Sequence, residues 1–161
     1  MVIQLQRIIN RDTPKFISES VARFKCRDKD VETFLQHKAF DFERRNKSRT
    51  YLIFDEKRTL LGYYALSIKS LPFGADASKA AIKSIDGYSK DVKSVGIILI
   101  GQFGKDTLLA KEVKGAHLLE LCMVSVYQAQ RIIGGRYVML ECQNIEEEKE
   151  RLSGSGFGGS G

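Results

Sequence analysis

Apolar residues recur along this chain at two different spacings, and the spacing changes from segment to segment. Residues 94–100, SVGIILI, are almost continuously apolar over the length of a strand, and GQFGKD at 101–106 breaks the run with two glycines. After the polar KEVKG at 111–115, Leu118, Cys122, Val126, Ala129 and Ile133 recur every three or four positions. That places them on one face of a helix, which Gly134 and Gly135 stop. YVMLEC at 137–142 reads as a second buried strand. A helix of about five turns joins the two strands, so they are expected to run parallel.

Upstream, residues 17–26 end in an alternation of apolar and polar positions that predicts a half-buried strand. Asp28 or Asp30 then caps a helix with Val31, Phe34, Leu35 and Ala39 on one face, and Phe42 opens a second part that can be a separate helix. TYLIF at 50–54 and LLGYYALSI at 60–68 flank the polar DEKR and predict a β-hairpin. Between 71 and 93, Pro72, Gly74 and Gly87 punctuate a stretch with little period, read as a connecting excursion with a short helix near 77–85. Asn144 caps a charged segment, 146–151, with the character of a short helix, and SGSGFGGSG at 153–161 has the composition of a flexible linker.

A chain of 161 residues, 43% apolar and 29% charged, suits one domain with a substantial core. We take residues 1–157 as that domain and 158–161 as a linker-like tail. No apolar stretch approaches a bilayer span and the N-terminus lacks the apolar core of a signal peptide, so a cytoplasmic protein without a membrane partner is expected. Cys26, Cys122 and Cys142 form neither a CxxC pair nor an even disulfide framework and read as reduced core thiols. His37 and His117 have no carboxylate or cysteine at ligand spacing, so no metal site is expected.

The charge balance changes the picture in two places. With 26 basic and 20 acidic residues the net charge is +6, and RRNKSR at 44–49 is the densest cluster. It either solvates a helix end or attracts a phosphate-bearing ligand. Nucleic-acid binding as the sole function has only this charge behind it, because no basic motif interleaved with aromatics appears. The second place is the helix beginning just after Gly115, whose first-turn N–H groups lack intrahelical acceptors, with Lys105, Lys111 and Lys114 nearby in sequence. A diphosphate suits such a terminus; an ordinary strand-to-helix connection with solvated lysines is the alternative.

The order strand, two helices, hairpin, strand, helix, parallel strand, short helix resembles the GNAT superfamily of acyl-CoA-dependent N-acyltransferases, over about residues 20–157. FKCRD at 24–28 leading to Phe34, Leu35 and Ala39, SRTYLI at 48–53 and GYYALS at 62–67 resemble the bacterial branch that includes toxin acetyltransferases. The resemblance implies an α+β fold, with a mixed, mostly antiparallel sheet and a central parallel strand pair flanked by helices. It also implies two C-terminal strands, for which the residues after Phe157 are too few.

On the same basis the cofactor is acetyl-CoA. Its pantetheine would pair with open backbone near Phe103, Gly104 and Lys105, and its diphosphate would rest on Lys111, Val113, Lys114, Gly115 and Ala116, with Asn144 beyond. The family's loop pattern falls on Ala110, Val113 and Gly115, and only Gly115 agrees, so the grip is expected from backbone amides and lysine charge. The tyrosine that family members place five positions before the phenylalanine of a Gly-Phe pair is Leu152 here, which has no proton to give.

The implied reaction is direct attack of a neutral amine on the thioester, with Glu141 as the carboxylate nearest the cleft; a solvated strand-end glutamate is its other reading. Cys142 has no neighbour to lower its pKa and is expected to pack. The resemblance further implies a charged tRNA, or another amine, as acceptor, and a cognate antitoxin as partner. Leu152 and the linker-like tail leave open a catalytically silent module that binds CoA or a protein. The open sheet edge predicts a homodimer or strand-exchanged pair.

Overall fold

The structure is a computed structural model in which residues 1–9 and 12–141 are described. Cys142, Asn144, the segment 146–151, Leu152 and the tail lie outside the described residues.

Five strands pair in chain order: β1 (Val2–Gln4), β2 (Arg49–Phe54), β3 (Leu60–Pro72), β4 (Ser94–Lys105) and β5 (Tyr137–Leu140). All neighbours are antiparallel except β4 and β5, which run parallel as the long connecting helix requires. This is the expected mixed, mostly antiparallel sheet. Helices α1 (Gln6–Ile9), α2 (Lys15–Arg23), α3 (Lys29–Thr33) and α4 (Ala39–Arg44) precede the hairpin, α5 (Lys79–Asp86) lies in the excursion and α6 (Gly115–Ile133) joins β4 to β5.

Two apolar layers cover the sheet. On one face Leu52, Phe54, Leu60, Tyr63 and Ala65 meet Ile17, Val21, Phe24, Phe34 and Leu35. On the other, Tyr64, Leu66, Ile98 and Ile100 meet Leu118, Cys122 and Val126 of α6. The alternation of Tyr63 and Tyr64 between layers is the period-two signature of a strand buried on both sides. Asp28 caps α3, its carboxylate accepting from the N–H groups of Asp30 and Val31. A single π-helical turn, Phe34–Lys38, then re-phases the helix before α4, so one bent run stands where two helices were possible.

The structure corrects three expectations. Residues 17–23 are helical rather than the start of a strand: Ile17 and Val21 are one helical turn apart and both buried, and packing against the sheet overrides the short alternation after them. The first strand is Val2–Gln4 instead, paired with Tyr51–Ile53 of β2.

Second, β4 does not stop at Ile100 but continues through the two glycines to Lys105, held by Gly62, Tyr63, Tyr64 and Ala65 of β3. Glycine is needed at this crossing, since a Cβ on Gly104 would stand 2.4 Å from Val31 Cγ1 and one on Gly62 would stand 2.5 Å from the Gly104 carbonyl oxygen. Third, β5 is not buried: Tyr137, Met139 and Leu140 are each about two-fifths exposed, because β5 has a strand neighbour on one side only among the described residues.

Candidate functional site

The two neighbours of β4 hold it over different lengths. Pairing with β5 covers Ile97–Ile100 and ends with the Glu141 N–H donating to the Ile100 carbonyl at 3.0 Å, whereas pairing with β3 runs on to Lys105. From Gly101 onward, therefore, one edge of β4 has no strand partner among the described residues. The divergence begins at an irregularity. Ala65 pairs with Gln102 and Leu66 with Ile100, leaving Gly101 as an extra residue, a β-bulge that bends β4 where its partner leaves it.

Four residues of strand, roughly 13 Å, separate Gly101 from Lys105. Glu141 stands at the first end, its carboxylate Oε2 3.9 Å from where a Cβ on Gly101 would be. At the other end the Lys105 ammonium donates to the Val113 carbonyl at 2.8 Å and ties the following loop to the strand. Phe103 packs against the α6 layer, and Gly104 is covered by Val31 and Cys26, so these residues offer their backbone edge and not a side chain.

A residue that the sequence reading passed over shapes the loop at 106–114. Asp106 is buried, and its carboxylate accepts from the N–H groups of Lys25 at 3.0 Å, Leu108 at 2.9 Å and Leu109 at 2.7 Å. Thr107 N–H donates back to the Lys25 carbonyl at 2.8 Å. The bonds to Leu108 and Leu109 form an Asx turn, and the signal available in the sequence was an aspartate two positions ahead of three apolar residues inside an otherwise polar loop.

The turn delivers the chain to α6, where Lys114 supplies no side-chain cap and the first turn carries no acidic residue. His117 N–H reaches the Lys114 carbonyl at 3.0 Å, while the N–H groups of Gly115 and Ala116, both exposed, have no backbone acceptor among the described residues. Lys114 adjoins them and Lys111 lies four residues before Gly115, both exposed. Two amides and the positive end of a long helix therefore face solvent next to a cation, which is the environment a phosphate needs.

The structure thus brings Gly104, Lys105, Val113, Lys114, Gly115 and Ala116 to one end of the open edge and Glu141 to the other. The basic cluster at 44–49 proves to be engaged largely with residues 41–43 of α4. Arg45 pairs with Asp41 at 2.9 Å, Arg49 with Glu43 at 3.1 Å and Asn46 at 2.8 Å, and Lys47 lies 4.5 Å over the Phe42 ring. Both described cysteines are buried, and burial raises the Cys26 thiol and pushes the Cys122 thiol up to about 12, which disfavours the thiolate. Tyr64 is likewise pushed up to about 12 by burial and holds Ser125 Oγ at 2.6 Å. Among the described residues no three His, Cys, Asp or Glu side chains gather to hold a metal, and no helix is long and apolar enough to cross a membrane.

No protein-family model matches the chain, and no curated protein matches it. Solved structures do. AtaT complexed with acetyl-methionyl-tRNAfMet superposes with a TM-score of 0.65 at 22% identity, covering 96% of this chain and 85% of that one. AtaTR bound with AcCoA gives 0.67 at 21%, covering 95% and 83%. The chain shares their GNAT-type fold. A tyrosine-to-phenylalanine mutant of KacT gives 0.66 at 20% identity, covering 96% and 85%. At these identities it is the architecture of the GNAT-type toxins that is shared.

Proposed function

We propose that this protein is an N-acetyltransferase that moves the acetyl group of acetyl-CoA to an amine acceptor. The observation that carries the reading is the open β4 edge from Gly101 to Lys105, with an uncapped, lysine-flanked helix N-terminus at its end. Acetyl-CoA bound to a structural neighbour of the same fold supports it. The residues fit such a ligand: the strand edge offers backbone pairing to the amides of an extended chain, and Lys111, Lys114 and the N–H groups of Gly115 and Ala116 match a diphosphate.

When bound, acetyl-CoA supplies an activated acyl carbonyl. The chain positions the acceptor against it and offers main-chain N–H groups of the bulged edge to the charge developing on oxygen. Glu141 takes the proton that the amine gives up as the C–N bond forms and the C–S bond breaks; the departing thiolate draws its proton from water, since Leu152 occupies the sequence position of the usual acid.

An aminoacyl-tRNA amine is the acceptor favoured by the AtaT complex with acetyl-methionyl-tRNAfMet, and the AtaT complexes with the antitoxin AtaR favour a cognate antitoxin as partner. The exposed Met123, Val124 and Tyr127 on the outer flank of α6 favour a second reading, a coenzyme-binding module whose work is to dock a protein.

Release of free thiol from acetyl-CoA in the presence of charged tRNAs, peptides and small amines tests the enzyme; turnover no greater than the protein-free blank overturns it. Thiol release separates the two readings, and thermal shift with CoA tests the coenzyme site that both require, since a ligand at about 100 times its dissociation constant adds roughly 2.7 kcal/mol.

A further inference from the structure

Gln102 directly follows the bulge residue Gly101, at the point where β4 loses its second neighbour. The residue is partly exposed, yet its amide oxygen Oε1 is enclosed and accepts no hydrogen bond among the described residues. By register Gln102 pairs with Ala65, and Ala65 pairs with Thr50 on its other side, so the three side chains share one sheet face. Thr50 is fully buried and its hydroxyl also lacks a partner, while Ala65 between them contributes a single methyl. The Glu141 carboxylate borders the same glycine from the β5 side.

An enclosed amide oxygen that accepts nothing is a rare arrangement, because folding has removed its water without replacing it. The group that satisfies it must donate. A neutral amine does so and still keeps its lone pair for attack, whereas an anion or a carbonyl compound brings no donor to that oxygen.

We propose that Gln102 binds the acceptor: its Oε1 receives one N–H of the amine while a second N–H faces Glu141. The inference rests on the acetyltransferase reading above and adds a residue to its acceptor side. Gln102 thereby fixes the nitrogen at the mouth of the open edge, so that its loss is felt in the affinity for the amine and not in the affinity for the coenzyme.

The test uses the full chain, with methionyl-tRNA and methionine amide as the two acceptors, acetyl-CoA as donor, and two variants. Gln102→Met keeps length and removes the oxygen; Gln102→Glu keeps an acceptor at the same reach. The KM for both acceptors is expected to rise about ten-fold in the Met variant, the size of effect that follows from leaving one donor of a desolvated amine without its partner. The thermal shift produced by acetyl-CoA stays as in the wild type, the melting temperature of the free protein stays level or rises because an unpaired oxygen is gone, and the Glu variant recovers acceptor affinity.

A KM within two-fold of wild type in both variants, with coenzyme binding and turnover intact, overturns the assignment. So does a lowered melting temperature in the Met variant with KM unchanged, which would mean that Oε1 serves the fold through a buried water. Absence of any acetyl-CoA shift in the wild-type protein is a different result: it removes the acetyltransferase reading itself, and the role of Gln102 falls with it.

Discussion

Replacing Asp106 by alanine withdraws the acceptor from three main-chain donors at once, the N–H groups of Lys25, Leu108 and Leu109 at 3.0, 2.9 and 2.7 Å. Each such hydrogen bond contributes about 1 kcal/mol net, and the charge on the carboxylate and its burial push the sum up while partial access of water to the loop pulls it down, so the loss is set at about 3 kcal/mol. For a chain of this size that corresponds to a fall in melting temperature of about 6–12 °C. Asparagine separates the contributions. Its oxygen can keep the bonds to Leu108 and Leu109, while its NH₂ meets the Lys25 N–H donor to donor, so Asp106→Asn should lose roughly half as much. Urea titrations of the three proteins give the ordering, and coenzyme titrations of the same samples should show weaker binding in both variants, since the turn at Asp106 carries the chain to Gly115. Equal stability of the alanine variant and the wild type would refute the role given to Asp106, and equal losses for alanine and asparagine would refute the division between its two oxygens.

Gly104→Ala places a methyl 2.4 Å from Val31 Cγ1 and should cost about 1–3 kcal/mol in urea, whereas Gly115→Ala meets nothing within 4 Å and should leave stability within about 0.5 kcal/mol while weakening acetyl-CoA binding in calorimetry. The Glu32 carboxyl is held below its usual range, first by the Cys26 N–H and then by Lys29. Its contribution is therefore present above the unfolded value near about pH 4.3 and is lost as pH falls through the lower folded value, so Glu32→Gln should flatten the acid limb of the stability profile below the unfolded value; an unchanged limb would count against this. The outer edge of β5 has no strand neighbour among the described residues, so light scattering at high concentration should find a dimer, and Met139→Lys, on that half-exposed strand, should reduce it; a monomer at every concentration removes the expectation.

Elements whose evidence was local were legible in the chain. The helix from Gly115 to Ile133, the hairpin around Asp55 and the strand beginning at Ser94 each carry their own period and their own stops, and the parallel pairing of β4 with β5 followed from the length of the helix between them. The lysines and glycine at the start of α6 were readable for the same reason, because a helix N-terminus is built from consecutive residues.

What depended on distant partners was not readable. Residues 17–23 satisfy both an alternating and a helical pattern over a few positions, and only the sheet face against Ile17 and Val21 selects the helix. The two glycines at 101 and 104 look like a break in isolation, yet β3 holds them in the strand, one as a bulge and one as a close crossing. Asp106 and Gln102 take their settings from Lys25 and from the row through Ala65, which lie on other elements many positions away. Periodicity reports which residues want burial; it carries no record of which backbone will face them, and at this site that facing backbone decides which polar atoms are paired, which are left open and where a ligand can enter.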